Sequence, residues 1–245
     1  MREASKCRTV TDTDSYAFSF INQSRQREDD RGSNYEMKNV FFKPWIGKDF
    51  DSGGIFGKKI LVLGEAHLCG GCEDCGKVEN AEECADFTSS NCIELLLNGH
   101  TDSWTPTFRK FERSLVGHET SLDESRKIWN SVAFYNYIQK SMDSSRKAPE
   151  WVDFRNSKEA FFEVLENLRP DFIIVWGVTR MWSNMPSDGW TEGEKITVDS
   201  YDVKNGWYTL QDGHRIHAIW VYHPSSGYSW DWWNNVIKEV LLKII

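Results

Sequence analysis

The sequence predicts an α/β fold in which helices cover both faces of a mostly parallel, four-stranded sheet. Short apolar runs of the kind that form buried strands alternate with segments of helical spacing, and this alternation favours a parallel sheet. The chain has 245 residues, enough for one good core, so a single α/β domain is the economical interpretation. Two of the strand-like runs end in polar turns that contain glutamate or histidine. Such turns are expected at the rim of an open α/β sheet, where ligands bind.

Residues 1–38 are polar and weakly patterned, so we expect a flexible N-terminal extension before a single domain at 39–245. The predicted strands, with their approaches, are residues 59–63, 128–138, 171–177 and 217–222. The predicted helices are residues 92–97, 107–115, 157–168 and 230–242.

The patterns behind these elements differ in kind. The helix at 157–168 carries its apolar residues on one stripe and ends before Pro170. Residues 178–213 are irregular or carry a hairpin, for which Asn205 and Gly206 offer a turn. We find no internal repeat and no low-complexity tract.

Composition limits the classes of function. The formal net charge is −8, which argues against a broadly basic nucleic-acid clamp, although a local basic strip can lie on an acidic protein. The 12 Trp, 14 Phe and 8 Tyr residues suit an aromatic-lined groove or an aromatic core. No apolar run reaches the ~20 residues that cross a bilayer, and the first residues lack the apolar stretch of a secretory signal. We therefore expect a cytoplasmic monomer without a membrane partner.

A cysteine-rich loop follows the first predicted strand. Cys69, Cys72 and Cys75 have two successive Cys-x-x-Cys spacings, and Cys84 is the natural fourth ligand. This pattern predicts a structural metal site for zinc or a 4Fe-4S cluster, which spacing does not separate; free or redox-active thiols are the alternative. Cys92 is expected on a buried helix face instead.

Two polar turns, about 160 residues apart in the chain, carry the functional signal. Gly64-Glu65-Ala66-His67 follows the first predicted strand, and His223-Pro224-Ser225 follows the last. Because the carboxyl ends of parallel strands meet at one rim, both turns are expected to face one crevice.

Four pieces of the chain, taken together, resemble the uracil-DNA glycosylase superfamily over roughly residues 55–245. They are the turn at 64–66, the strand end at Asn136, the strand that ends at Gly177, and the turn at 223–225. The likeness implies that the turn of Glu65 positions the hydrolytic water. It also implies that Asn136 reads the edge of an extruded base.

The same likeness implies that His223 hydrogen-bonds the base oxygen that gains charge as the glycosidic bond breaks. Ala66 stands where several members have Asp or Asn, so Glu65 is the candidate for the water-positioning group. The substrate-binding set that we expect is Gly64, Ala66, His67, Pro224, Ser225 and Phe108, the last as a ring on which a base stacks.

Each of these residues also has a structural interpretation. Glu65 suits the start of a helix, Asn136 suits a strand end, and Phe108 suits a core. His67 is interpreted as a substrate contact, an alternative metal ligand or a hydrogen-bonded loop histidine.

The leading hypothesis is a DNA-repair enzyme, an N-glycosylase that hydrolyses a base–sugar bond in DNA. A catalytically silent, metal-stabilised nucleic-acid-binding module is one alternative. A hydrolase of a free nucleotide or nucleoside is the other.

Overall fold

A seven-stranded mixed sheet lies at the centre of the computed structural model, which describes residues 37–68, 85–142 and 147–242. The sheet has the order β1-β4-β2-β6-β11-β10-β7, and two further strand pairs, β3 with β5 and β8 with β9, lie outside it. The strands are β1 (Trp45–Ile46), β2 (Ile60–Gly64), β3 (His67–Leu68), β4 (Val132–Asn136), β5 (Ser141–Met142), β6 (Phe172–Trp176), β7 (Trp190–Glu192), β8 (Ile196–Val198), β9 (Tyr201–Val203), β10 (Asn205–Thr209) and β11 (Arg215–Val221).

The four predicted strands form the parallel centre of this sheet. β4, β2, β6 and β11 are neighbours in that order, and each adjacent pair is parallel. β1 pairs antiparallel with β4, β10 with β11, and β7 with β10. The prediction of a four-stranded sheet was therefore wrong in strand number. The added strands β1, β7 and β10 have two to five residues, and none of them has the apolar run of four or more residues that marks the central strands.

The central strands are unbroken apolar runs because both faces are buried. Within β2, Ile60 and Val62 belong to one apolar cluster, whereas Leu61 and Leu63 belong to the cluster on the opposite face. This alternation follows from the two-residue period of a strand.

Helices cover both faces, as the sequence predicts. The helices are α1 (Leu95–Leu97), α2 (Thr105–Val116), α3 (Leu122–Asn130), α4 (Trp151–Asn156), α5 (Lys158–Leu168), α6 (Arg180–Asn184) and α7 (Trp230–Leu242). A π-helix at Phe87–Glu94 continues into α1. Helices α2, α3 and α7 contribute to the first cluster, and α4, α5 and α6 contribute to the second.

The predicted strand at 128–138 was too long at its beginning. Residues 122–130 form α3, which starts with a capping box: the Ser121 hydroxyl accepts from the Glu124 backbone N–H, and the Glu124 carboxylate accepts from the Ser121 N–H. The Ser-x-x-Glu spacing is a recognisable helix start.

The predicted Asn-Gly turn was also wrong. Asn205 and Gly206 begin β10, and the reversal lies between β8 and β9, at Asp199 and Ser200, which both have positive φ. Glycine at position 206 instead allows the Trp190 ring to pack directly on the backbone of β10. A methyl group there would lie 2.2 Å from a ring carbon of Trp190.

Two regions of the chain for which the sequence makes predictions lie wholly or mostly outside the described residues. One is the N-terminal extension, of which only residues 37 and 38 are described; there the Lys38 and Asn39 backbone N–H groups donate to the Glu163 carboxylate at 2.6 and 2.7 Å. The other comprises Cys69, Cys72, Cys75 and Cys84. Within the described ranges, no helix combines the length and the apolar character needed to span a bilayer.

Candidate functional site

The carboxyl ends of the four central strands form one rim. The register pairs Gly64 of β2 with Asn136 of β4, and Trp176 of β6 with Val221 of β11. Glu65 follows directly after β2, and His223 lies two residues after β11. The turns that were predicted to share a rim therefore do so, because all four strands run in one direction.

An ion pair joins the segments that follow β2 and β6. Arg180, the first residue of α6, donates from Nε to Glu65 Oε2 at 2.7 Å and from Nη2 to Glu65 Oε1 at 2.6 Å. The Glu65 side chain is only 16% exposed, whereas that of Arg180 is 48% exposed. The two parallel N–H bonds fix the plane of the carboxylate.

His223 is held in one tautomer. The Ser225 backbone N–H donates to His223 Nδ1 at 3.2 Å, and the Ser225 hydroxyl lies 2.7 Å from the same nitrogen. Because an N–H can only donate, Nδ1 is the acceptor, and the neutral ring carries its hydrogen on Nε2.

The charges of the ion pair act on this ring. Burial lowers the pKa of His223 below its ordinary value; the Glu65 carboxylate opposes that effect and the Arg180 guanidinium adds to it. The imidazole is therefore neutral at neutral pH and presents an N–H donor from Nε2. Its ring meets the indole of Trp176 edge to face, with 5.7 Å between the ring centroids.

Asn136 leans over Gly64. A methyl group at Gly64 would lie 2.0 Å from Asn136 Oδ1, so only glycine lets the amide approach β2 this closely. The amide nitrogen lies 3.1 Å from Nδ1 and 3.4 Å from Nε2 of His67. The amide is thus held from both sides, by the glycine backbone and by the imidazole.

His67 is enclosed by the protein. Its ring packs against Phe42 and Phe87, with centroids 4.6 and 4.9 Å away, and the Thr88 hydroxyl lies 2.9 Å from Nε2. Burial lowers the pKa of His67 to about 3, so the ring is neutral. Of the three interpretations of His67, the structure agrees with that of a hydrogen-bonded loop histidine. Its ring supports the Asn136 amide.

The remaining predicted site residues are divided between rim and core. Pro224 is buried and Ser225 is exposed in the loop after β11, while Ala66 packs against the second cluster. Phe108 is buried, and its ring contacts those of Trp104, Trp129, Phe134 and Trp176. The structure therefore places Phe108 in the core rather than on a surface open to a base.

The predicted cysteine ligands lie outside the described residues, and the part of the chain that the structure does describe contains no group of three or more His, Cys, Asp or Glu placed to hold a metal. Cys92 is described; it packs against the first cluster, and burial raises the pKa of its thiol to about 12. This position agrees with its predicted place on a helix face that packs against the core.

Sequence reasoning missed Arg180 and Trp176. Trp176 is the last residue of β6, and its buried Nε1 has no hydrogen-bond partner in the described ranges. Gly177, with a φ of 120°, turns the chain from β6 toward Arg180. A glycine after an apolar strand marks such a turn, but no periodicity indicates which residue beyond it reaches the rim.

No protein-family profile matches this chain, and no curated protein is similar to it at a significant level. What this site does must therefore be inferred from the arrangement of its own residues.

Proposed function

We propose that the protein hydrolyses the N-glycosidic bond between a base and its sugar in DNA. The observation that supports this best is the Glu65–Arg180 ion pair beside a neutral His223, at the rim where open α/β sheets bind ligands. An anion near a sugar carbon and a neutral donor near a leaving base are the two groups that this reaction needs. The resemblance to the uracil-DNA glycosylase superfamily points to the same chemistry.

In the proposed reaction, His223 stabilises the leaving group. The bond between C1′ and the base nitrogen breaks, and its electron pair moves into the base, where negative charge gathers on a carbonyl oxygen. The Nε2–H of His223 donates to that oxygen. One preorganised donor of this kind is worth roughly 3 kcal/mol of barrier.

Glu65 acts at the sugar. As the bond breaks, positive charge develops on C1′ and its ring oxygen, which a nearby carboxylate stabilises. Water adds its oxygen to C1′, and the proton that it loses passes to the nitrogen of the departed base, so that the products are the neutral free base and a sugar hydroxyl. Since Arg180 binds each carboxylate oxygen through one lone pair, the second lone pair of each oxygen is available to hold the water.

Asn136 is proposed to read the base. A base must leave the stack before its glycosidic bond is accessible. One N–H of the Asn136 amide faces His67, so the amide has its second N–H as a donor and Oδ1 as an acceptor for a base. From β4 to β11 there are three strand spacings, which amount to about 14 Å. A base that contacts both Asn136 and His223 would therefore lie across the ends of β2 and β6.

The experiment is a base-release assay on duplex and single-stranded DNA that carries deaminated or mismatched bases. We expect Glu65→Gln and His223→Ala each to lower kcat about 100-fold or more. The matched controls are Glu166→Gln and His100→Ala, both exposed residues outside the turns that follow the four central strands. Release from none of these substrates would remove the enzymatic proposal.

The acidic surface supports one alternative substrate. With a net charge of −8, a free nucleotide or nucleoside is approached with less repulsion than a long polyanion. Base release from small substrates without DNA binding would favour this alternative. Salt-sensitive DNA binding without turnover would favour the nucleic-acid-binding module. That alternative is suggested by Ala66, which offers no carboxylate at a position where several glycosylases have Asp.

A further inference from the structure

Arg180 is held more firmly than its exposure suggests. An arginine that is 48% exposed normally samples many rotamers, but two N–H bonds to the less exposed Glu65 fix this guanidinium in one plane. A donor group whose orientation is already fixed loses little entropy when it binds a ligand.

The ion pair uses only part of the guanidinium. Nε and Nη2 bind Glu65, whereas Nη1 has no hydrogen-bond partner in residues 37–68, 85–142 or 147–242. The two N–H groups of Nη1 and the second N–H of Nη2 remain as donors on the outer edge. That edge has the forked geometry which phosphate oxygens match.

A second cation supports the same segment. Lys204 Nζ donates to the carbonyl of Val178 at 3.2 Å and lies 4.9 Å from the ring centre of Trp182. Val178 and Trp182 flank Arg180 in the sequence. Arg180 and Lys204 together outweigh the single charge of Glu65, so the segment after β6 is locally positive in an acidic protein.

We infer that Arg180 is a specificity-determining residue that holds Glu65 with one edge of its guanidinium and binds a phosphate group of the substrate with the other. The inference rests on the proposed function and narrows it. The site takes a base–sugar unit that carries a phosphate, a phosphodiester or a phosphomonoester, in preference to a free nucleoside. Binding of the phosphate places the sugar next to the carboxylate that Arg180 holds.

The test measures binding to the full chain and does not require turnover. The probes are deoxyuridine, deoxyuridine 5′-monophosphate and a dinucleotide with one phosphodiester, titrated calorimetrically. We expect the better of the two phosphate-bearing probes to bind about 10- to 100-fold more tightly than the nucleoside, because a hydrogen bond to a charged group has this effect. Which probe binds better identifies the source of the phosphate.

Arg180→Met is expected to abolish that preference. The control is Arg169→Met: Arg169 is also about half exposed and is paired with Asp212 at 2.5 Å, but it lies before the opposite end of β6. Arg169→Met is expected to keep the full preference. Because both arginine side chains are about half exposed, both variants are expected to fold, and thermal melting checks this.

Arg180→Met could lose the phosphate preference because Arg180 no longer contacts the phosphate, or because the unpaired Glu65 carboxylate repels it. A double variant separates these two explanations. We expect Glu65→Gln alone to keep the phosphate preference, and Glu65→Gln with Arg180→Met to lack it. The inference is overturned if the preference returns in the double variant, or if the wild-type protein binds all three probes equally or none of them. It is also overturned if Arg169→Met loses as much as Arg180→Met. A protein that prefers the phosphate probes but releases no base would contradict only the proposed function.

Discussion

At the scale of single residues, the close approach of Asn136 to Gly64 fixes the amide that is proposed to read a base. Gly64 is the last residue of a fully buried strand, and its missing side chain is the space that the Asn136 amide occupies. His67 holds the other side of that amide. The position of Asn136 is therefore set by two neighbours that are themselves buried.

We expect Gly64→Ala to displace the Asn136 amide, because its methyl group would overlap Oδ1, at a cost of about 1–3 kcal/mol. Two measurements follow: urea denaturation for stability, and the side-chain amide signals of Asn136 by NMR. Gly213→Ala is the control, since Gly213 has open space around it and a φ of 88°. It is expected to cost about 1–2 kcal/mol through backbone strain alone and to leave the amide signals unchanged. If the Asn136 amide signals were unchanged in Gly64→Ala, the proposed overlap of the methyl group with Oδ1 would be contradicted.

Strand-end position was sufficient to predict Glu65, Asn136 and His223 as rim residues, because each follows a recognisable apolar run. Arg180 could not be predicted in this way. It starts a five-residue helix after an irregular turn, and its pairing with Glu65 spans 115 positions in sequence.

Among the elements, α2 and α3 are joined by a buried carboxylate. Glu112 is fully buried, and its oxygens accept from Arg109 Nη1 at 3.2 Å, Thr120 Oγ1 at 2.8 Å, Ser125 Oγ at 2.7 Å and Trp129 Nε1 at 2.8 Å. The charge is thus paired and its lone pairs are occupied, which is the condition under which a buried carboxylate is tolerated.

Glu112→Ala is expected to lower the free energy of unfolding by about 3–5 kcal/mol, because it leaves several buried donors without an acceptor. Ser121→Ala removes the cap of α3 and is expected to cost about 1 kcal/mol. Denaturant unfolding of the two variants measures the difference. Equal losses would show that the Glu112 network contributes no more than a single cap.

The cysteine-rich segment supplies a further prediction, which rests on the spacing of its thiols alone. Protein purified without air is expected to contain one zinc ion or one 4Fe-4S cluster per chain, the cluster being visible as a brown colour. Cys72→Ser is expected to lose the metal, whereas Cys92→Ser, which changes a residue packed on the core, is expected to keep it. Metal analysis and the visible spectrum measure both variants; a metal-free wild-type protein would refute the site.

Histidines that are buried in the neutral form make the stability of the entire protein dependent on pH. In His217, Nε2 lies 3.1 Å from Asn205 Oδ1 and therefore carries the hydrogen, and Nδ1 is buried without a partner among the described residues. Burial, and secondarily the charge of Arg215, lower the pKa of His217 to about 4. Burial lowers the pKa of His67 and of His223 in the same direction.

The unfolded chain therefore binds a proton at His217 near pH 6.5, whereas the folded protein does not until about pH 4. Stability from this group is complete above pH 6.5 and falls by about 2 to 3 kcal/mol as the pH decreases to 4. Urea denaturation between pH 7 and pH 4 measures the slope. His217→Phe is expected to reduce that slope by about one proton, and an unchanged slope would rule out His217 as its source.

Local patterns in the chain were enough to predict the α/β class, the four central strands and the two polar turns after β2 and β11. These features are local: an apolar run, a stripe of apolar residues on a helix and a turn residue are each encoded within a few neighbouring positions. The helix pattern at 230–242 matches α7 at both ends for the same reason.

Contacts between distant parts of the chain set the width of the sheet, the enclosure of His67, the burial of Phe108 and the pairing of Arg180 with Glu65. Each depends on residues far apart in the chain that come together when strands take their order. The free energy of such a contact depends on geometry and burial, which no local pattern of residues specifies.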